Sequence, residues 1–333
     1  MLQGGIIGFG GLGKNHFDGV NKLADMARII AVCDVDSTKF EKAIATNLHT
    51  NDEKSDLSDC RLYTNAYEML EKETLDFVII ATPTYLHAEL AVAALDKGIH
   101  VLSEKPMSRT LEGCRQMIEA AKRNQKLLSI GQCLRFSPQY LKLKELVDSG
   151  EYGKLLRLEM HRMSQPPTWG YQNWFMDFSK CGGAALDLHV HDVDFMQYTL
   201  GMPQSVSSEG GSQKWVFDHI TTRYTYENGP VVHITGDWSL NLAFGFRAEY
   251  FAVFERGVCY LQNDSVYLCP DDGKKQKAEL EDVDMYVEEK RYFFHCINEH
   301  KANDRIAPES AMQSIQIIMA EMESSESGHP ILL

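Results

Sequence analysis

The feature that most limits what this chain can become is a glycine loop, Gly8-Phe9-Gly10-Gly11-Leu12-Gly13. Gly4–Phe9 reads as a buried strand and Gly13–Leu23 as a helix, so the G-x-G-x-x-G pattern falls in a strand–turn–helix context. Gly8 permits the tight turn, Gly10 leaves no side chain to block a pyrophosphate, and Gly13 lets the helix pack on the strand. The helix start, with Gly11 and Leu12, offers unpaired backbone N–H groups to phosphates. Asp34 ends the next apolar run, Arg28–Asp34. A carboxylate there accepts hydrogen bonds from a ribose diol and repels a 2′-phosphate. Asp36 adds negative charge, no Arg follows at once, and Lys39 is not far off. NAD is therefore expected, in preference to NADP.

The rhythm around this loop extends the argument. Ser37–Leu48 reads as a helix, Asn51–Cys60 as a loop, Arg61–Tyr63 as a short strand and Ala66–Lys72 as a helix. Asp76–Ala81 is apolar throughout, as a strand covered on both faces should be. Tyr85–Lys97, Ile99–Ser103, Leu111–Asn124 and Leu127–Cys133 continue the alternation of helix and strand. Alternating β and α segments of this length imply a parallel, doubly wound sheet. Past residue 130 the pattern changes. Pro138–Ser149 is one more helix, Lys154–Ser164 is extended, and Ser205–Ser212, Trp215–Tyr226, Val231–Leu240, Ala248–Phe254 and Val258–Leu261 read as successive strands. Strands without intervening helices mean a mainly antiparallel sheet. Helices over Met285–Asn298 and Glu309–Met322 finish the chain. The expected division is a dinucleotide-binding domain over 1–128 and a substrate-binding and oligomerisation domain over 129–333.

Composition narrows the function classes. The net charge of −14 makes nucleic acid and anionic membrane surfaces poor partners, because phosphate neutralisation supplies most of that affinity. The eight cysteines are scattered, with no CxxC pair, which argues against a zinc ribbon and a disulfide scaffold. No secretory signal or apolar membrane-length stretch is evident, so a reducing cytoplasm is expected.

Three further elements carry a resemblance. Ala81-Thr82-Pro83-Thr84-Tyr85-Leu86-His87 follows a strand; Glu104-Lys105-Pro106 follows the next; and Gly182-Gly183-Ala184-Ala185-Leu186-Asp187-Leu188-His189-Val190-His191 fits G-G-x-x-x-D-x-x-x-H. Together with the glycine loop, and in this order, they make the chain resemble the glucose–fructose oxidoreductase/inositol dehydrogenase (Gfo/Idh/MocA) family over nearly its whole length. The resemblance implies an N-terminal dinucleotide domain and a C-terminal α/β domain with a large open sheet, through which a homodimer or homotetramer would form. It also implies that Lys105, Asp187 and His191 occupy the catalytic positions.

The residue types suit that chemistry. Oxidising an alcohol with NAD needs a hydride acceptor and a destination for the hydroxyl proton, and histidine titrates near physiological pH. Asp187 and His191 are four apart; on a helix they project from one face, and the aspartate can orient the imidazole. Lys105 can donate to the reacting oxygen or carry the proton itself. Thr82, Pro83, His87, Glu104 and Lys105 are expected along the cofactor. Arg135, Asn173 and Trp174 join Lys105, Asp187 and His191 as substrate candidates, since sugar sites pair aromatic faces with polar groups. His189, where the family commonly has a small residue, reads as an extra polar contact to substrate. A metal site is not expected, because i,i+2 residues on a helix do not face each other. The expected activity is hydride transfer between NAD and a secondary hydroxyl of a sugar, polyol or inositol-like substrate. Alternatives are a dihydrodiol-type or cofactor-retaining oxidoreductase and a dinucleotide-sensing regulator.

Overall fold

The computed structural model describes residues 1–42 and 54–333, which form two compact units. The first comprises Met1–Cys133 and Asp284–Met312, the second Leu134–Val283 and Gln313–Leu333.

In the first unit β1 (Leu2–Ile7), α1 (Gly11–Asn21), β2 (Ala27–Cys33), β3 (Arg61–Tyr63), α2 (Ala66–Lys72), β4 (Phe77–Ile80), α3 (His87–Asp96), β5 (His100–Glu104), α4 (Leu111–Asn124) and β6 (Leu128–Gly131) alternate as expected. The strands form a six-stranded sheet in the order β3-β2-β1-β4-β5-β6. Every pairing is parallel. Phe77, Val78, Ile79 and Ile80 are fully buried, the burial that a strand with both faces covered requires. The helix expected over Ser37–Leu48 is a 3-10 turn over Ser37–Phe40; the part of that span beyond residue 42 lies outside the described residues. Asp36 caps the turn by accepting from Thr38 N.

The second unit opens with α5 (Pro138–Ser149), β7 (Leu155–Met163), α6 (Phe178–Cys181) and α7 (Val190–Leu200). The strands β8 (Ser205–Gly211), β9 (His219–Thr225), β10 (Val231–Asp237), β11 (Arg247–Phe254), β12 (Gly257–Gln262), β13 (Ser265–Pro270) and β14 (Gln276–Lys277) follow. With β7 and a terminal β15 (Ile331–Leu332) they build a nine-stranded sheet, ordered β14-β13-β12-β11-β7-β10-β9-β8-β15. It is antiparallel except where β10 runs parallel to β7. Along β9 burial alternates residue by residue, so one face of the sheet is covered and the other is not. Tyr250 packs on Tyr140 of α5 with ring centroids 5.6 Å apart, and α7 and α9 (Pro308–Ser327) cover the same face. On the opposite, half-exposed face Phe251, Tyr260 and Tyr267 stack in a row at 5.5 and 5.1 Å.

Two further expectations change. The strand read over Trp215–Tyr226 starts only at His219, because Asp218 gathers the preceding turn by accepting from the backbone N–H groups of Gln213, Lys214 and Trp215. The domain division at residue 128 also differs: α8 (Met285–Asn298) and the segment after it belong to the first unit. There Phe294 packs on Phe77 at 4.8 Å, and Asn303 Nδ2 donates to Leu128 O. The apolar face of α8 is needed to cover the parallel sheet, a tertiary requirement that no local pattern announces.

Candidate active site

The glycines of the loop divide by what surrounds them. Gly8 has φ +92°, and a Cβ there would stand 2.5 Å from Ala81 O. A Cβ on Gly13 would meet Gly8 O at 2.0 Å. These two are glycine because the fold leaves no room. Gly10 differs: a Cβ on it would meet nothing within 4 Å, so its face opens onto free space. It is the N-cap of α1 and supplies no side-chain cap, which leaves the first N–H groups of the helix, at Gly11 and Leu12, for a phosphate. Asp34 stands just past β2, buried, and its carboxylate accepts from Phe9 N at 2.7 Å. Thr82 Oγ1, in the loop after β4, is buried without a hydrogen-bond partner. An open glycine face, an uncapped helix start, a carboxylate at the end of β2 and an orphaned hydroxyl fit a dinucleotide.

The neighbouring loops are braced by buried polar groups. His87 is 1% exposed and lies 2.9 Å from both Thr82 O, through Nε2, and Pro106 O, through Nδ1. Burial pushes its pKa down. His87 therefore does not meet the cofactor as expected; it ties the Thr82-Pro83 loop to the Lys105-Pro106 segment. Glu104 is likewise buried, accepting from His16 Nε2 at 2.7 Å and from Lys105 N at 3.1 Å. Its carboxylate supports the loop instead of lining it. Lys105 stands apart: from Val101 to Ser108 it alone is not buried.

The second unit repeats this signature. Gly182 (φ +82°) ends α6, and Gly183 (φ +68°) follows in the same left-handed region. A Cβ on Gly183 would stand 2.6 Å from Phe217 O. The reversal leads into a π-turn over Ala185–His189, which runs on into α7. Such turns are short insertions that re-aim side chains, often at functional sites. Every residue from Cys181 to Gln197 is buried except Asp187 and His191. Asp187 is carried by the π-turn and not by a plain α-helix, and His191 by the first turn of α7.

His189 is corrected. It is fully buried, with Nε2 3.0 Å from Glu321 Oε2 and 3.2 Å from the Tyr224 hydroxyl, which donates to Glu321 Oε1 at 2.5 Å. This is a core network joining α9 to β9, with no access to a substrate. Arg135 is corrected too: it is 1% exposed, donates to Asp194 through Nε (2.8 Å) and Nη2 (2.6 Å), and lies over the Tyr198 ring. Trp174 stacks on Phe175 at 3.9 Å and packs with it against the cluster of Cys181, Ala184, Leu188 and Trp238, beside the π-turn. Asn173 is exposed and left-handed (φ +57°).

Sequence reasoning missed the clamp on α7. Asp192 and Asp194 follow His191 directly and are buried. Asp192 receives Arg162 from β7, with Nε to Oδ2 at 3.0 Å and Nη2 to Oδ1 at 2.9 Å, and Asp194 receives Arg135. The acidic residues were visible in the sequence; their partners, 30 and 59 residues away, carried no local signal.

Residues 2–132 match the model of the oxidoreductase family with an NAD-binding Rossmann fold, and residues 140–257 match the GFO/IDH/MocA C-terminal domain. The chain belongs to the GFO/IDH/MocA oxidoreductase family. It is an NAD-dependent enzyme. Among relatives of this GFO/IDH/MocA protein, inositol 2-dehydrogenase 4 of Saccharopolyspora erythraea is 28% identical over 272 residues, 79% of this chain and 74% of the relative. Myo-inositol 2-dehydrogenase of Thermotoga maritima is 30% identical over 200 residues, 59% of this chain and 54% of its own. Levoglucosan dehydrogenase, solved with NADH and levoglucosan, has the same fold with TM-score 0.84 at 18% identity, covering 99% of both chains. The WlbA dehydrogenase of Bordetella pertussis, solved with NADH and UDP-GlcNAcA, gives TM-score 0.83 at 18% identity over 100% of this chain and 98% of its own. No described helix is long and apolar enough to cross a membrane.

Proposed function

We propose that this protein oxidises a secondary hydroxyl of a sugar, polyol or inositol-like substrate, with His191, Asp187 and Lys105 as its catalytic residues. The observation that carries the reading is the exposure pattern: Asp187 and His191 alone are accessible within a buried stretch of 17 residues. An acid–base pair kept at the surface of an otherwise sealed segment has a ligand to meet. The relatives named inositol 2-dehydrogenase support the substrate class.

Bound NAD supplies the hydride acceptor. His191 takes the hydroxyl proton as the substrate C–H hydride departs, leaving a ketone. Asp187 orients the imidazole and stabilises its protonated form. Lys105 donates to the reacting oxygen and favours alkoxide character as charge develops; the proton roles of Lys105 and His191 are exchangeable on chemical grounds. Trp174 offers the C–H face of a ring substrate an aromatic wall, and Asn173 a polar group. Assembly as a homodimer or homotetramer through the nine-stranded sheet is supported by the half-exposed row of Phe251, Tyr260 and Tyr267.

The test is an absorbance assay for reduced nicotinamide with myo-inositol, other inositols, aldoses, polyols and sugar acids. Turnover with one group, reduced about 10²- to 10⁴-fold in His191→Ala while NADH still binds, is expected. Undiminished turnover in His191→Ala and in Lys105→Met would overturn the assignment.

A further inference from the structure

We propose that Lys39 sets how far this protein discriminates NAD from NADP, acting at the Asp34 carboxylate. The proposal rests on the family's NAD site and is independent of the substrate.

Asp34 is 5% exposed. Its Oδ2 accepts from Phe9 N at 2.7 Å and from Lys39 Nζ at 3.1 Å, and its Oδ1 accepts from Asp36 N at 2.9 Å. Lys39 reaches back to the end of β2 because its turn is anchored on both sides. Asp36 caps the turn, and the buried Phe40 packs on Phe9 of the glycine loop with ring centroids 6.4 Å apart. The lysine is thus built into the site, and its side chain keeps 23% of its surface exposed.

A buried carboxylate alone repels a 2′-phosphate strongly. Here an ammonium shares the same oxygen, so the local charge is largely compensated. That ammonium is also the kind of group that pairs with a phosphate as a point charge. Lys39 therefore softens the rejection of NADP. It also stands ready as a 2′-phosphate ligand whenever Asp34 is removed.

The experiment is equilibrium titration with NADH and NADPH, followed by nicotinamide fluorescence, on the full-length protein. Lys39→Met keeps the aliphatic stem and removes the charge. It is expected to weaken NADPH binding about tenfold while changing NADH binding much less. Lys39→Arg is expected to retain NADPH binding. Asp34→Ser should strengthen NADPH binding about tenfold, and adding Lys39→Met to it should erase that gain. Equal loss of both cofactors in Lys39→Met, or an NADPH gain in Asp34→Ser that survives the second substitution, would overturn the proposal.

Discussion

His16 Nε2 lies 2.7 Å from Glu104 Oε1, a buried bond that ties the helix after the glycine loop to the strand end before Lys105. Burial, with Lys290 close by, holds the His16 pKa down at about 4. Burial would raise Glu104, but the His16 hydrogen bond and the positive charge around it, Lys105 included, together outweigh burial and hold its pKa below the usual glutamate value. At neutral pH a neutral imidazole therefore donates to a carboxylate, a charge-assisted bond. Glu104→Ala leaves His16 buried and frees the Lys105 backbone N–H. It should cost about 1.5–3 kcal/mol by urea unfolding. If it also loosens Lys105, kcat should fall with little change in NADH affinity.

The same cluster predicts a pH effect of defined sign. Glu289 is fully buried, neither of its oxygens has a hydrogen-bond partner, and burial and Glu104 push its pKa well above 4.5. A raised folded pKa contributes stability below the unfolded value and loses it as pH rises towards the folded one. Glu289→Gln should therefore gain stability over the wild type progressively as pH increases above 4.5. Urea midpoints measured from pH 5 to 8 check this, and parallel curves for the two proteins would refute it.

The histidines act in the opposite direction. His16 and His100 both have folded pKa values near 4 against 6.5 unfolded, and His100 Nδ1 accepts from Leu127 N, a bond that protonation breaks. Between pH 6.5 and 4 the unfolded chain binds more protons at these sites, so their contribution is lost as pH falls. His100→Asn should flatten the acid limb of the stability profile, each such site adding a slope of at most about 1.4 kcal/mol per pH unit.

The glycine loop separates folding from binding. Gly13→Ala places a Cβ 2.0 Å from Gly8 O, so the backbone must shift and the protein should lose stability. Gly10→Ala meets no atom and should fold as the wild type does. Its methyl group occupies the phosphate face, however, and NADH affinity should drop about tenfold or more. Thermal melts paired with NADH titration distinguish the two.

His189 and His191 provide the matching contrast in the second unit. His189→Ala strips a partner from the buried Tyr224–Glu321 pair and should destabilise by about 1–3 kcal/mol while sparing catalysis at temperatures where the fold holds. His191→Ala should do the reverse. Loss of activity without loss of stability in His189→Ala would put that residue back at the substrate.

What the sequence determined by itself is whatever repeats locally or is spelled by adjacent residues. The strand–turn–helix around Gly8–Gly13 and the buried run Phe77–Ile80 belong here, because periodicity and short motifs encode them, while Lys105, Asp187 and His191 were singled out through the family resemblance that their motifs carry. What only the tertiary structure decided is which polar residues stay in the core. His87, Glu104, His189 and Arg135 looked like ligands by residue type and proximity, yet each is held by partners distant in sequence, such as Glu321 for His189 and Asp194 for Arg135. The return of α8 to the first unit is of the same kind. Burying a charge demands a partner and covering a sheet demands an apolar face, and neither need be met by a sequence neighbour.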